Sequence, residues 1–269
     1  MSYKIVFSDI DGTLLNSNRE LSERTIKTIK QIKDEIPVVL ISARMPSAMR
    51  HLQKQLGIEN QPYICYNGGY VIIDDKPVSS TAIPLATIKE LAKFNEERNV
   101  HFSLYNADEW HVPGYDYWAK REERNTKVTP TITHINEVMA DWEKKELGAH
   151  KIMCMGEEEK IEELFQHLNK NYSDRLHIYR SKSTYIEIAN KQISKLTAIK
   201  YLLDNHFNLS IEETVAFGDN YNDVEMIGGV GMGVAVANAR EETKKVAKKI
   251  TDASIEDGVA KSIEELFLK

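Results

Sequence analysis

A chain of 269 residues holds one large domain or two modest ones, and its 42% hydrophobic and 28% charged content excludes disordered, collagen-like and membrane proteins. No apolar run approaches the roughly 18 residues a bilayer span needs, and the opening MSYKIVFSDIDG, with acids straight after a five-residue apolar run, does not fit a secretory signal, so a cytoplasmic location is expected. Net charge is −6, from 35 bases against 41 acids, with no basic block larger than pairs such as Lys244-Lys245, so no nucleic-acid or membrane partner is expected and an anionic substrate would need a local device to attract it.

Along the first eighty residues strand and helix alternate. Lys4–Ser8 reads as a strand, and Glu20–Glu35 as a helix with Ile26, Ile29, Ile32 and Ile36 at three- and four-residue intervals. Ser22 suits its N-cap, with Leu21 and Ile26 in the positions of a hydrophobic staple. Pro37–Ile41 is a second, fully apolar strand, a helix follows over Pro46–Leu56, and Pro62–Tyr66 is a third strand stopped by Asn67-Gly68-Gly69. Strands apolar on both faces with helices between them indicate a parallel sheet covered on both sides.

From about Pro84 the pattern changes. His101–Tyr105 and Trp110–Val112 are mixed strands, Ile135–Trp142 and Glu157–Leu168 are helical, and Lys151–Met155, Leu176–Tyr179 and Tyr185–Ala189 are further strands. This is an α+β segment, expected as an antiparallel sheet with helices on one face. Trp110, Tyr115, Tyr117 and Trp118 would either line a pocket or form its core, and the turn carrying Arg180, Ser181, Lys182 and Ser183 would either face a site or be a solvated loop. At Ser194 the first pattern returns, with a helix over Lys195–His206, a buried strand Thr214–Phe217, the run Gly218-Asp-Asn-Tyr-Asn-Asp223, a helix to Ile227, a strand within Val230–Val236 and two more helices. The expectation is an α/β doubly wound, Rossmann-like core of residues 1–82 and 190–269, with an α+β domain of residues 83–189 inserted. Cys65 and Cys154 each lie inside an apolar stretch and are expected to be buried, reduced thiols.

In doubly wound sheets the ligand site lies beyond the carboxyl ends of the strands. Four such ends carry polar residues directly after an apolar run: Asp9 and Asp11, Ser42, Asn67, and Asp219 with Asn222 and Asp223. Any one alone could be a turn or a helix cap; together on one sheet edge they form a site. Asp9 and Asp11, two apart in an extended segment, would leave the same side of the backbone. Several carboxylates this close need a counter-charge, and a hard divalent cation such as Mg²⁺, with oxygen ligands and room for phosphate, supplies it. Gly12 would let the chain turn after Asp11. Ser42, Asn67 and nearby amides could bind phosphate oxygens, and Lys195 at a helix start would add positive charge. A carboxylate beside a bound phosphate can attack phosphorus, and a second one can carry protons.

Asp9-Ile-Asp11-Gly-Thr-Leu, Ser42, Lys195 and Gly218-Asp219-Asn-Tyr-Asn222-Asp223-Val-Glu-Met226 resemble, in order and spacing, the four motifs of the haloacid dehalogenase (HAD) superfamily. With Asn67-Gly68-Gly69 and the long insert, the chain looks like the Cof-type phosphatase branch with a C2B cap. The resemblance implies a Mg²⁺-dependent phosphatase of a small phosphorylated metabolite, such as a sugar phosphate, working through an aspartyl-phosphate. Asp9 would be the nucleophile, Asp11 the general acid/base, and Lys195 the group that neutralises Asp9 and the phosphoryl group. The metal set would be Asp9, the backbone carbonyl of Asp11, Asp219, Asn222 and Asp223. Phosphate or substrate would meet Ser42, Ala43, Arg44, Asn67, Gly68, Lys195 and Asn222, although Arg44 could equally pair with an acid. Two positions depart from the usual motifs: Ala43 stands where glycine is common, and Leu196 follows the lysine where glycine is usual. A sugar phosphomutase and a phospho-accepting signalling module are the rival functions. The first would need clamps for a second phosphate, which the sequence does not display, and the second has no need of a hundred-residue insert.

Overall fold

The structure, a computed structural model, describes residues 3–268, and the side chain of Ser181 lies outside the described set. The first elements are β1 (Ile5–Ser8), α1 (Glu23–Ile32), β2 (Val38–Ile41), α2 (Ser47–Leu56), β3 (Tyr63–Cys65), β4 (Tyr70–Ile73) and β5 (Lys76–Ser80). Next come α3 (Leu85–Asn95), β6 (His101–Asn106), β7 (Glu109–Val112), α4 (Tyr117–Thr126), β8 (Thr131–Ile132), α5 (Ile135–Lys144), β9 (Lys151–Met155), α6 (Glu158–Tyr172), β10 (Leu176–Lys182) and β11 (Tyr185–Asn190). The chain closes with α7 (Lys195–Leu202), β12 (Thr214–Gly218), α8 (Val224–Gly229), β13 (Met232–Val236), α9 (Glu241–Val246), β14 (Lys249–Thr251) and α10 (Gly258–Phe267). Two compact units emerge: described residues up to 44, 49–79 and from 194 onward make one, and residues 45–48 with 80–193 make the other. Among the described residues no helix is long and apolar enough to cross a membrane.

The first unit is built on an eight-stranded sheet in the order β14-β13-β12-β1-β2-β3-β4-β5. Strand β1 lies between β12 and β2, parallel to both, and every residue of these three strands is buried. Both strand faces are therefore covered, which is why these segments read as unbroken apolar runs rather than as alternation. Ile5, Phe7, Val39 and Ile41 pack with Ile199 and Leu202 of α7 and with Met226 and Ile227 of α8. Helix α1 is capped by Ser22, whose side chain accepts the Thr25 amide. The expected parallel sheet also carries an addition: β4 runs antiparallel to β3. Tyr66, Asn67 and Gly68 all have positive φ (53°, 55° and 106°), which reverses the chain too tightly for a crossover helix. The helix expected over Lys195–His206 is α-helical to Leu202 and then widens into a π-turn over Leu203–Phe207, which Asn208 ends at φ 52°.

The second unit is a six-stranded sheet in the order β10-β11-β9-β6-β7-β8, antiparallel except for the β7–β8 pair. Phe102, Leu104, Ile152, Cys154, Ile186 and Ile188 form one face and pack with residues of α3, α5 and α6, among them Leu91, Trp142 and Leu164. Alternation along the strands sends His101, Ser103, Met153 and Tyr185 to the other face. Helix α4 belongs to that second face: its N-cap Asp116 bonds His101 Nδ1 at 2.8 Å, and Trp118 meets Tyr185 edge-on. Helices therefore occupy more than the one face expected. In the aromatic cluster Trp110 is buried and Trp118 half-buried, whereas Tyr115 and Tyr117 are exposed, so a core role fits neither tyrosine. Arg180 pairs with Glu162, and the Lys182 ammonium lies over the Tyr185 ring. Both cysteines are buried free thiols.

Candidate active site

Parallel register assembles the site. Ser8, the last residue of β1, pairs with Phe217 of β12 and Leu40 of β2, so the segments that continue from the three strands leave the sheet side by side. The Asp9 amide still bonds the Phe217 carbonyl at 3.0 Å, and the Ser42 amide bonds the Ile64 carbonyl at 3.0 Å.

Lys195 lies at the centre. It is the first residue of α7, whose N-cap Ser194 accepts the Thr197 amide, and its side chain is fully buried. The ammonium donates to Asp9 Oδ1 and, at 2.6 Å, to Asp223 Oδ1. Asp223 Oδ2 in turn accepts the backbone amides of Asp219 and Asn220, both at 2.9 Å, which folds the Gly218–Asp223 loop around its own carboxylate. That loop needs a glycine at its start, since a Cβ on Gly218 would lie 2.6 Å from the Asp223 Cβ. Asp219 Oδ1 accepts the Thr13 hydroxyl at 3.0 Å.

Oxygens of Asp9, Asp219 and Asp223 come within 4.8 Å of one another. Three carboxylates against the one ammonium of Lys195 would leave a net charge of −2 in a mostly buried space. Burial raises the Asp9 carboxyl well above the usual range, and the Asp223 and Asp219 charges add to this while Lys195 opposes it. Asp219 is pushed up to about 6, by burial and then by Asp223. Burial alone would lower the Lys195 ammonium, but Asp223 and Asp9 outweigh it and raise it. The cluster is thus short of positive charge, and its all-oxygen donor set fits a hard divalent cation.

Asp11 has different surroundings. Strand pairing ends at Ser8, and the chain turns over residues 11–14 with the Leu14 amide bonded to the Ile10 carbonyl, so strand alternation no longer places Asp11 beside Asp9. Its carboxylate takes a two-pronged pair from Arg44 (Nε to Oδ2 and a terminal nitrogen to Oδ1, both 2.7 Å) and a further bond from Arg19 at 2.6 Å. Burial tends to raise this carboxyl, but the Arg44 and Arg19 guanidiniums prevail and hold it below its usual range. Arg44 thus pairs with the acid two residues after Asp9.

The remaining expected residues lie along the same edge of the first unit. Ser42 is buried directly after β2; its hydroxyl accepts the Arg44 amide at 3.2 Å and its carbonyl accepts the Asn67 amide at 2.8 Å. Ala43, half-buried, connects Ser42 to Arg44. Asn222 donates its side-chain amide to Asn67 Oδ1 at 2.9 Å, which ties the β12 loop to the β3 loop. Gly68 sits at φ 106°, where a Cβ would lie 2.4 Å from the Ser194 carbonyl oxygen, so it permits the close approach that seats α7. Leu196, the departure from the usual glycine, is accommodated by Gly229: a Cβ there would meet its Cδ2 at 2.6 Å. Sequence reasoning assigned no role to Arg19, to the Thr13 hydroxyl or to Asn238, whose side-chain amide bonds the Gly12 carbonyl at 2.8 Å. Only Thr13 carried a signal, being part of the Asp-x-Asp-Gly-Thr run.

A doubly wound sheet whose strand ends gather three acids around a buried lysine, in a chain whose second unit comes almost wholly from residues 80–193, defines a class of hydrolase. The sequence profile of the haloacid dehalogenase-like hydrolases matches residues 6–263, and the chain belongs to that family. A protein of Haemophilus influenzae is 34% identical over 99% of both chains. The 5-amino-6-(5-phospho-D-ribitylamino)uracil phosphatase YitU of Bacillus subtilis is 27% identical, over 98% of this chain and 97% of its own. Among solved structures, a haloacid dehalogenase-like hydrolase from Bacteroides thetaiotaomicron superposes with a TM-score of 0.90 at 29% identity, covering 99% of this chain and all of its own. The protein is an enzyme of the phosphatase kind within this family.

Proposed function

We propose that the chain is a Mg²⁺-dependent phosphatase that hydrolyses a small phosphomonoester through an aspartyl-phosphate on Asp9. The observation that carries this reading is the pairing of Asp9 with the buried Lys195 inside a cluster of carboxylates at adjacent strand ends. Asp9, Asp219 and Asp223 would hold the metal, with Asn222 and the Asp11 carbonyl as the family's additional positions. When bound, Mg²⁺ neutralises the cluster and gives phosphate oxygens a fixed place to bind.

The protein's own groups account for the rest. Lys195 favours the ionised form of the Asp9 carboxylate against the burial that opposes it and orients it for attack on phosphorus, a charge-assisted arrangement that needs no movement at the moment of reaction. Ser42, next to Ala43 and the Asn67-Gly68 turn, supplies hydroxyl and backbone donors to the phosphoryl oxygens. Asp11, apart from the metal cluster and bonded to arginine, gives a proton to the departing oxygen and then takes one from the attacking water. The domain division proposed is a core of residues 1–82 and 190–269 with a cap of residues 83–189, and substrate choice belongs to the cap. The YitU relative is named for a phosphate carried on a ribityl chain, which supports a phosphate ester of a sugar or polyol as the substrate class.

The test is a phosphate-release screen over sugar and polyol phosphates, with Mg²⁺ and with a chelator. Release is expected with Mg²⁺ only, and Asp9→Asn should lower kcat by roughly a thousandfold or more, since it removes the nucleophile. An Asp9→Asn protein that turns over as the wild type does would refute the mechanism.

A further inference from the structure

We infer that Asn238 is a positioning residue for the metal: its side-chain amide holds the Gly12–Thr13 peptide against Asp219 and so sets where the Asp219 carboxylate lies relative to Asp9. The inference rests on the Mg²⁺ reading above.

The Gly12–Thr13 peptide forms one wall around Asp219. Gly12 packs so close to that carboxylate that a Cβ would lie 2.4 Å from Oδ2, and the Thr13 hydroxyl donates to Oδ1 at 3.0 Å. The carbonyl that joins these two residues accepts the Asn238 side-chain amide at 2.8 Å. Asn238 lies on the segment that continues from β13, and in the sheet β12 stands between β13 and β1. Its side chain therefore reaches past the β12 loop, which carries Asp219, to the turn that follows β1. Two residues on, the Arg240 amide bonds the Asp219 carbonyl at 2.8 Å. One short segment thus grips both acid-bearing loops, the first through a side chain and the second through the main chain.

Asn238 is itself anchored. Its Oδ1 accepts the amide of Ser254 at 2.8 Å, at the start of the short helical turn Ser254–Glu256 between β14 and α10. A side-chain amide has a donor end and an acceptor end, and here each end faces its match. A flipped amide would set donor against donor at Ser254 and acceptor against acceptor at Gly12, so the side chain has one orientation. Water can replace a hydrogen bond at so exposed a residue, and the bond adds little to folding stability. What it supplies is placement. Carboxylates that share a cation must keep a fixed separation, and groups that orient them from behind typically change metal affinity by roughly 10–100-fold.

The test is the rise of the thermal unfolding midpoint with added Mg²⁺, read on the full chain without substrate. Asn238→Ala removes the bond to Gly12. Ser254→Pro removes only the N–H that anchors Asn238: proline fits the first position of a helical turn, and Ala253 before it has the extended ψ of 156° that proline requires of its neighbour. In Asn238→Ala the Mg²⁺ concentration at half of the rise should increase about tenfold, the lower end of that range. Ser254→Pro should shift it in the same direction by a smaller factor. Midpoints without Mg²⁺ should stay near that of the wild type. A purely structural role predicts the reverse, a lower metal-free midpoint with the wild-type Mg²⁺ requirement. An unchanged requirement in either variant would overturn the proposal, whatever its metal-free midpoint. If Asn238→Ala does not fold, Ser254→Pro decides. Wild-type protein whose midpoint does not respond to Mg²⁺ would refute the metal reading itself, and that outcome is distinct from an unchanged requirement in the variants.

Discussion

Gly12 has a φ of +86°, and a Cβ at that position would lie 2.4 Å from Asp219 Oδ2. Alanine there meets two obstacles at once, a left-handed backbone and a carboxylate already bonded to Thr13. The strain, about 1–3 kcal/mol at such positions, is relieved most easily by pushing Asp219 out of the acid cluster. Gly12→Ala should therefore fold with a modest loss of stability yet need at least tenfold more Mg²⁺ for half-maximal phosphate release, as a metal titration of activity would show. An unchanged metal requirement would place Asp219 outside the metal site. Residues of this kind were visible in the sequence because each is a small or acidic group at the end of an apolar run: Asp9 after Ile5–Ser8, Asp219 after Thr214–Gly218. Arg19 and Asn238 were not. An exposed arginine or asparagine in a loop has no periodicity, and only tertiary structure shows that it reaches Asp11 or the Gly12 carbonyl.

At the scale of elements, His150 joins three of them. It stands just before β9, its Nδ1 accepts the Ala107 amide at 3.1 Å from the β6–β7 turn, and its Nε2 meets the hydroxyl of Ser80 at the end of β5 at 2.9 Å. An N–H donor facing Nδ1 fixes the neutral tautomer with its proton on Nε2. Burial lowers this imidazole to about 4. The folded value lies below the unfolded value of about 6.5, so the unfolded chain binds more protons as pH falls through that window. Stability should decline from about pH 6.5 and lose on the order of 3 kcal/mol by pH 4, where the folded form begins to take the proton too. Denaturant melts of wild type and His150→Gln across this range isolate the effect: the variant should lack this part of the acid sensitivity, and parallel curves would contradict the assignment. The strands and helices around it were largely legible, since Phe102, Leu104, Ile152 and Cys154 alternate as a half-buried sheet requires. Helix α4 was not, because YWAKREERNT has almost no apolar period and is held through its cap Asp116 and the His101 bond. Strand β14 escaped for a similar reason, being three partly exposed residues at a sheet edge.

For the whole molecule, the metal site proposed at the acid cluster would couple folding to Mg²⁺. Three carboxylates gathered around one lysine repel one another, and burial together with the Asp223 charge pushes Asp219 up to about 6. A cation that binds only the folded chain stabilises it by mass action, about 2.7 kcal/mol at a concentration of 100 times Kd. The midpoint of thermal unfolding should therefore rise with Mg²⁺, and Asp219→Asn should abolish most of the rise while folding normally without metal. A Mg²⁺ shift of equal size in that variant would mean the metal binds elsewhere. The central claim, that Asp9 is the nucleophile, is tested most directly by catching the phosphoryl group on it. Asp11→Asn slows the water step more than the attack on an aryl phosphate, so the variant mixed with p-nitrophenyl phosphate and Mg²⁺, then quenched in acid, should carry one phosphoryl group on the peptide containing Asp9. Phosphate found on any other residue, or none at all while p-nitrophenol is still released in a burst, would contradict the account.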